Sequence, residues 1–233
     1  MKVKILEKNT KDLKKEFEKI KVLSRKKVSI TDWNDWISML KSHKNLIILS
    51  MLFLISAILI NYASGFYVDH NTKTVSANDL LLDFLPSIDI SPIFIYGAVI
   101  IVALFFLYPL LFRLEEFHKA VSQFSLLILV RSFFIILTHL SLPLDAIAVH
   151  APNFLSFLNV QNDLFFSGHT SIPFLGFLLF KNKKIKYFFL VSSIVMAVTV
   201  LLMHVHYTID VLSAYFITYG VFKFGEKFYE KIK

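Results

Sequence analysis

Six stretches of the chain lose nearly all charge and become almost continuously apolar, at approximately 45–65, 92–112, 120–141, 167–181, 185–203 and 207–223. Several approach the roughly 20 residues that carry a helix across a ~30 Å hydrocarbon core. None shows the alternation of a membrane barrel strand. Lipid offers backbone groups no hydrogen-bond partners, so the pattern predicts an all-α polytopic membrane protein, a bundle of six transmembrane helices. The fourth stretch is short and polar at its start, and its closeness to the fifth predicts a tight hairpin. No internal repeat is visible. The expected organisation is a basic, interfacial helical segment over 1–44, a six-span membrane domain over 45–223 and a tail over 224–233.

Charge supplies the orientation. With the N-terminus inside, the cytoplasmic segments are 1–44, Arg113 to Lys119, Lys181 to Lys186 and the tail from Lys223. They hold 23 of the 25 Lys and Arg residues. The outer loops hold only Lys73, and the remaining cation is Arg131 within the third span. This is the positive-inside bias of six spans with both termini cytoplasmic. The formal charge of +8 is mostly carried ahead of the first span. It therefore points to anionic headgroups and not to nucleic acid. A composition that is 56% hydrophobic, with 25 Phe against 6 Gly, fits the same picture. Cysteine is absent, which excludes disulfides, iron–sulfur clusters and thiolate zinc sites. The first apolar run starts only near Leu46, so it is expected to stay as a span and not to be removed as a signal peptide.

The flanking segments read as supports. Lys8 to Lys27 alternates charge at helical spacing, as a solvated or surface-lying helix does. Thr31 to Ile37 resembles a capped helix start, with Trp33 and Trp36 seating it in the headgroup layer. The outer loop from Tyr67 to Ser91 carries Asp69, Asp79, Asp83 and Asp89, with breaks at Pro86 and Pro92, and is placed to cover a site on that face.

Ionisable groups in or beside hydrocarbon are costly and mark function. One cluster, Asp163-Leu164-Phe165-Phe166-Ser167-Gly168-His169-Thr170, leads into the fourth span. Ser167 stands where an N-cap belongs, and Gly168 lets another group approach the backbone. The amides that follow form an anion site with His169 beside it. A second cluster runs from His204 to Asp210 and places His206 and Asp210 four residues apart, on one helix face. The carboxylate would hold one ring nitrogen and leave the other free as nucleophile or base. His204, offset by two residues, points elsewhere. Taken singly, the clusters also read as a capped helix start and a structural histidine–aspartate pair. Topology separates these readings: the fourth and sixth spans both run from outside to inside, so His169, His206 and Asp210 share one depth at the non-cytoplasmic face.

The pairing of Ser-Gly-His with His-x-x-x-Asp resembles the type-2 phosphatidic acid phosphatase superfamily. Asp163 through Thr170, and His206-Tyr207-Thr208-Ile209-Asp210-Val211 followed by Ala214-Tyr215, resemble its sphingomyelin synthase branch. The resemblance implies that His206 attacks phosphorus, Asp210 orients it and His169 protonates the leaving oxygen. It also implies that Asp163, Ser167, Gly168 and Tyr207 contact substrate, and that no metal or cofactor takes part. Two departures shape this expectation. The Ser-Arg of the phosphatase pattern is replaced by Thr199 and Val200, and the Cys-Gly before the family's aspartate by Gln161-Asn162. Arg131 is the expected substitute for the missing arginine, since Arg131-Ser132 with Thr138 resembles part of the branch's arginine motif, although Pro143 falls about two residues late. No acidic residue lies in mid-span to pair with it. His139 and His150 face the same side without an assigned role.

The expected activity is transfer of a phospho-headgroup from a phospholipid onto His206 and then to ceramide or diacylglycerol. A lipid phosphatase or phospholipase C-type hydrolase, with water as acceptor, is the alternative. A lipid transporter fits less well, because the spans lack paired inverted repeats. The partners are lipids and the membrane, not nucleic acid. The implied location is a bacterial inner membrane, or a Golgi or plasma membrane in a eukaryote.

Overall fold

A computed structural model describes residues 33–149 and 164–232. The helix expected between Lys8 and Lys27, the cap at Thr31 and Asp32, and the candidate residues His150 and Asp163 lie outside these residues. The described chain forms helices α1 (Trp33–Ser42), α2 (Lys44–Asn71), α3 (Ser91–Phe112), α4 (Leu114–Leu137), α5 (Gly168–Leu179), α6 (Lys183–Leu202) and α7 (Thr208–Ile232). A 3-10 turn covers Leu82–Phe84. Among the described residues, extended pairing is limited to one isolated bridge between Val75 and Leu140.

Helices α2, α3, α4 and α6 are long and apolar enough to cross a membrane. Their outward faces stay apolar, as with Leu49 at 65% and Leu59 at 63% exposure. Helix α5 is apolar but only 12 residues long, about 18 Å at 1.5 Å per residue. A helix of that length reaches little more than halfway through a ~30 Å core, so its N-terminus is recessed if its C-terminus is at the opposite surface.

Helix boundaries depart from the hydropathy pattern where packing adds to it. Helix α2 continues to Asn71, burying Val68, so the loop after it covers only 72–90 and Asp69 is helical. Only Arg113 separates α3 from α4, because Leu114, Phe117 and Val121 bury against Trp36, Met39 and Leu40. The turn expected over Arg113 to Lys119 is therefore the first part of a helix. Trp36 donates its indole N–H to the Leu110 carbonyl at 3.1 Å. This bond ties α1 to the end of α3. The chain from 224, expected as a tail, continues α7 to Ile232. Lys119 pairs with Glu226 at 2.7 Å, and the Gln123 amide bonds the Phe222 carbonyl.

Helix α2 packs along α4, and α5 packs on both α6 and α7. The central core is aromatic: Phe105, Phe124, Phe180 and Phe189 bury together with Leu127, Leu175 and Met196. The hairpin between α5 and α6 is tight, with Asn182 capping α6 through its side-chain oxygen. Gly176 makes the close contact possible, since a Cβ there would lie 2.6 Å from Phe189 Cδ1. Gly176→Ala is expected to destabilise the protein by about 1–3 kcal/mol through overpacking, measured as a lower midpoint of thermal unfolding in detergent.

Candidate active site

Helix α6 ends in a Schellman motif that delivers the chain directly to His206. The Val205 amide donates to the Val200 carbonyl at 3.1 Å and the His204 amide to the Leu201 carbonyl at 3.0 Å. His204 occupies the left-handed position, with φ of 54°, where glycine is the usual choice. His204 therefore ends a helix, and its side chain is buried. Two residues later, Asp210 Oδ2 lies 3.2 Å from His206 Nδ1. The same oxygen accepts the Tyr207 amide at 3.1 Å. A carboxylate can only accept, so Nδ1 carries the proton and Nε2 holds the free lone pair. Both side chains are almost fully removed from solvent.

The second cluster meets the first through the backbone. The Ser167 amide donates to the Asp210 carbonyl at 3.1 Å, across 43 residues of sequence. The Ser-Gly-His start of α5 is thereby fastened to the first turn of α7. Ser167 occupies the N-cap position, but its hydroxyl does not cap the helix as expected. Ser167 Oγ, Thr170 Oγ1 and Asp210 Oδ1 are among the buried side-chain polar atoms without a hydrogen-bond partner in the described residues, as is His204 Nε2. Unsatisfied buried oxygens cost about 1–3 kcal/mol each, and three on two joined segments call for a physical reason.

Arg131 of α4 reaches this joint. Its Nε donates to the Phe166 carbonyl at 3.3 Å, and a Cβ on Gly168 would stand 3.4 Å from the same nitrogen. The guanidinium thus lies in ordinary van der Waals reach of Gly168, beside the amides that open α5. His169 is partly accessible. Its ring stacks on Phe94 of α3, with centroids 4.0 Å apart, which limits the imidazole's rotation. Phe165 and Phe166 both adopt positive φ, 95° and 32°. Bulky residues rarely accept that conformation, and here both pack against Phe134. This strained turn directs the chain into α5.

The loop between α2 and α3 closes over α7 by two latches. Asp79 Oδ2 accepts the Thr208 amide, and Asp79 Oδ1 accepts the Thr208 hydroxyl at 2.8 Å. Burial would raise the Asp79 carboxyl, but hydrogen bonds from Thr208, Leu82 and Leu81 outweigh it and hold it below its ordinary 3.8. The latch therefore adds stability above that value and loses it as pH falls through the lower folded one. In the second latch, the Ala77 amide donates to the Tyr207 hydroxyl at 3.0 Å, which itself donates to the Ser141 carbonyl at 2.9 Å. The Val75–Leu140 bridge runs beside it.

Of the candidate residues, His206, Asp210, Ser167, Gly168, His169 and Arg131 are brought together. Tyr207 is adjacent, and its hydroxyl bonds the two loops at Ala77 and Ser141. Thr199 and Val200 are buried in α6, so the arginine comes from a different helix. Thr138 ties the end of α4 to Leu164, through its hydroxyl at 3.4 Å from that carbonyl. Phe94 and Asp79 are additions that sequence reasoning missed or left among several loop aspartates.

Residues 162–227 match the family described as PAP2 superfamily C-terminal. The match spans both histidine clusters and supports the type-2 phosphatidic acid phosphatase superfamily. Together with the four apolar helices it supports an integral membrane protein acting on lipid phosphates, as a phosphatase or phosphotransferase. Comparison with curated proteins and with solved structures finds no match.

Proposed function

We propose that the protein is a membrane-embedded lipid phosphotransferase of the sphingomyelin synthase kind, acting through a phosphohistidine. The observation that carries this reading is the joint itself: Ser167 N–H to Asp210 O, with His206 held by Asp210 on one side and Arg131 beside Gly168 on the other. In this reading six spans with both termini cytoplasmic, the orientation that the charge bias favours, would put this joint on the non-cytoplasmic face.

In the first step, His206 Nε2 attacks the phosphorus of a phosphodiester lipid. The bond from phosphorus to the glycerol oxygen breaks, and His169 gives that oxygen its proton, releasing diacylglycerol. In the second step, the hydroxyl of ceramide or another diacylglycerol attacks phosphorus and passes its proton to His169, and the P–N bond breaks. Both imidazoles end as they began. Splitting the displacement in two is the gain from covalent catalysis. Arg131, the α5 amides, Ser167 Oγ and Thr170 Oγ1 are the groups placed to bear the phosphoryl charge, which also accounts for buried hydroxyls without protein partners.

The test uses full-length protein in nanodiscs with choline-labelled phosphatidylcholine and ceramide. Labelled sphingomyelin is the expected product. Release of soluble phosphocholine and diacylglycerol, with no labelled lipid product, would assign the water-accepting reaction instead. Arg131→Lys is expected to lower turnover about 10- to 100-fold, because an ammonium cannot replace a planar fork at a fixed phosphoryl group. The check is kcat with labelled donor at saturation.

A further inference from the structure

We propose that Asp79 is a positioning residue for the nucleophile, holding the first turn of α7 so that the His206–Asp210 pair keeps its geometry. The proposal rests on His206 being the nucleophile.

The argument follows the hydrogen bonds inward from the loop. Asp79 takes both the amide and the hydroxyl of Thr208, the first residue of α7. Its Oδ1 also accepts the Leu81 and Leu82 amides, at 3.0 and 3.3 Å. One carboxylate thereby welds the turn of the outer loop to a helix start 129 residues away. Thr208 lies between the two residues whose mutual bonds define the site. The Asp210 amide donates to the Tyr207 carbonyl at 3.0 Å, and Asp210 Oδ2 receives both the Tyr207 amide and His206 Nδ1. Moving Thr208 therefore moves Asp210 Oδ2, and with it the direction of the His206 ring. The Tyr207 hydroxyl, bonded by Ala77, adds a second hold from the same loop. A negative charge at a helix N-terminus is also electrostatically favoured. Asp79 touches neither histidine in this arrangement; its effect passes through Thr208.

A displacement of about 1 Å at a reacting group can cost on the order of 10²-fold in rate, so loss of this clamp should appear in kcat. With full-length protein in nanodiscs of choline-labelled phosphatidylcholine and ceramide, Asp79→Ala is expected to lower kcat about 10- to 100-fold with KM within about twofold. Asp79→Asn, which keeps one acceptor oxygen, should lose less. Thr208→Val removes only the hydroxyl arm and should cost a few-fold. Combined with Asp79→Ala it should add nothing, since both act on one contact. The isosteric Asn and Val variants carry the test if the alanine variant does not fold. A kcat within about twofold of wild type in all three single variants, a change confined to KM, or additive losses in the double variant would each overturn the proposal. His206→Ala separates the premise: if that variant keeps wild-type turnover, or the wild-type protein cleaves no headgroup, the phosphohistidine reading fails and this proposal with it.

Discussion

His206→Ala is expected to remove headgroup transfer almost entirely, by about 10⁴-fold or more, while leaving the helices in place. The size of the effect follows from the role. A nucleophile that forms the covalent intermediate has no deputy among its neighbours, and deleting one member of a concerted group costs nearly as much as deleting all of them. Asp210 is held in its place beside the ring, its Oδ2 engaged by the Tyr207 amide and by His206 Nδ1. The fold should tolerate the change, because the Ser167–Asp210 joint is a backbone bond and the Asp79 latch grips Thr208. Circular dichroism and elution volume matching wild type, together with lost turnover, are the expected pair of results. His206→Gln should behave in the same way, which separates loss of the nucleophile from loss of volume.

His169→Ala is expected to lower turnover of natural phospholipid by about 10²- to 10⁴-fold, the range for removing a positioned general acid. The effect should depend on the leaving group. A glycerol alkoxide needs a proton as it departs, whereas p-nitrophenolate does not. p-Nitrophenylphosphocholine should therefore release its phenol at nearly the wild-type rate in the first turnover of His169→Ala. Phe94→Leu gives a milder version of the same change, since it keeps bulk against the imidazole but removes the stacked ring found at 4.0 Å.

Much of this arrangement was legible in the chain. Helices α2 to α7 each overlap one of the six apolar runs, and four of them are long and apolar enough to cross a membrane, because hydropathy reports directly on what lipid and core accept. The short run at 167–181 was legible through Ser167 and Gly168, which mark a helix start. The meeting of the two histidine clusters followed from counting helix directions and needed no contact information. What escaped the reading were contacts without a local signature. Asp79 is one of four aspartates between Tyr67 and Ser91, and its bond to Thr208 spans 129 residues. Phe94 is one of 25 phenylalanines, and nothing near it announces a histidine partner. The helical extension after 224 was hidden because its charges look like a solvated tail until Glu226 meets Lys119. The bonds of the Tyr207 hydroxyl to Ala77 and Ser141 were equally hidden, since they span 130 and 66 residues.

The central claim is that the two motifs form one site in which His206 carries the phosphoryl group. The most direct measurement is to mix His169→Ala with p-nitrophenylphosphocholine labelled in the choline and to quench before acceptor is added. The first step needs no acid there, and the second lacks its base, so the intermediate should accumulate. The expected result is a burst of about one p-nitrophenol per protein, with acid-labile label mapped to His206 and absent from the double variant with His206→Ala. Turnover without bound label, or label on any residue other than His206, would contradict the account.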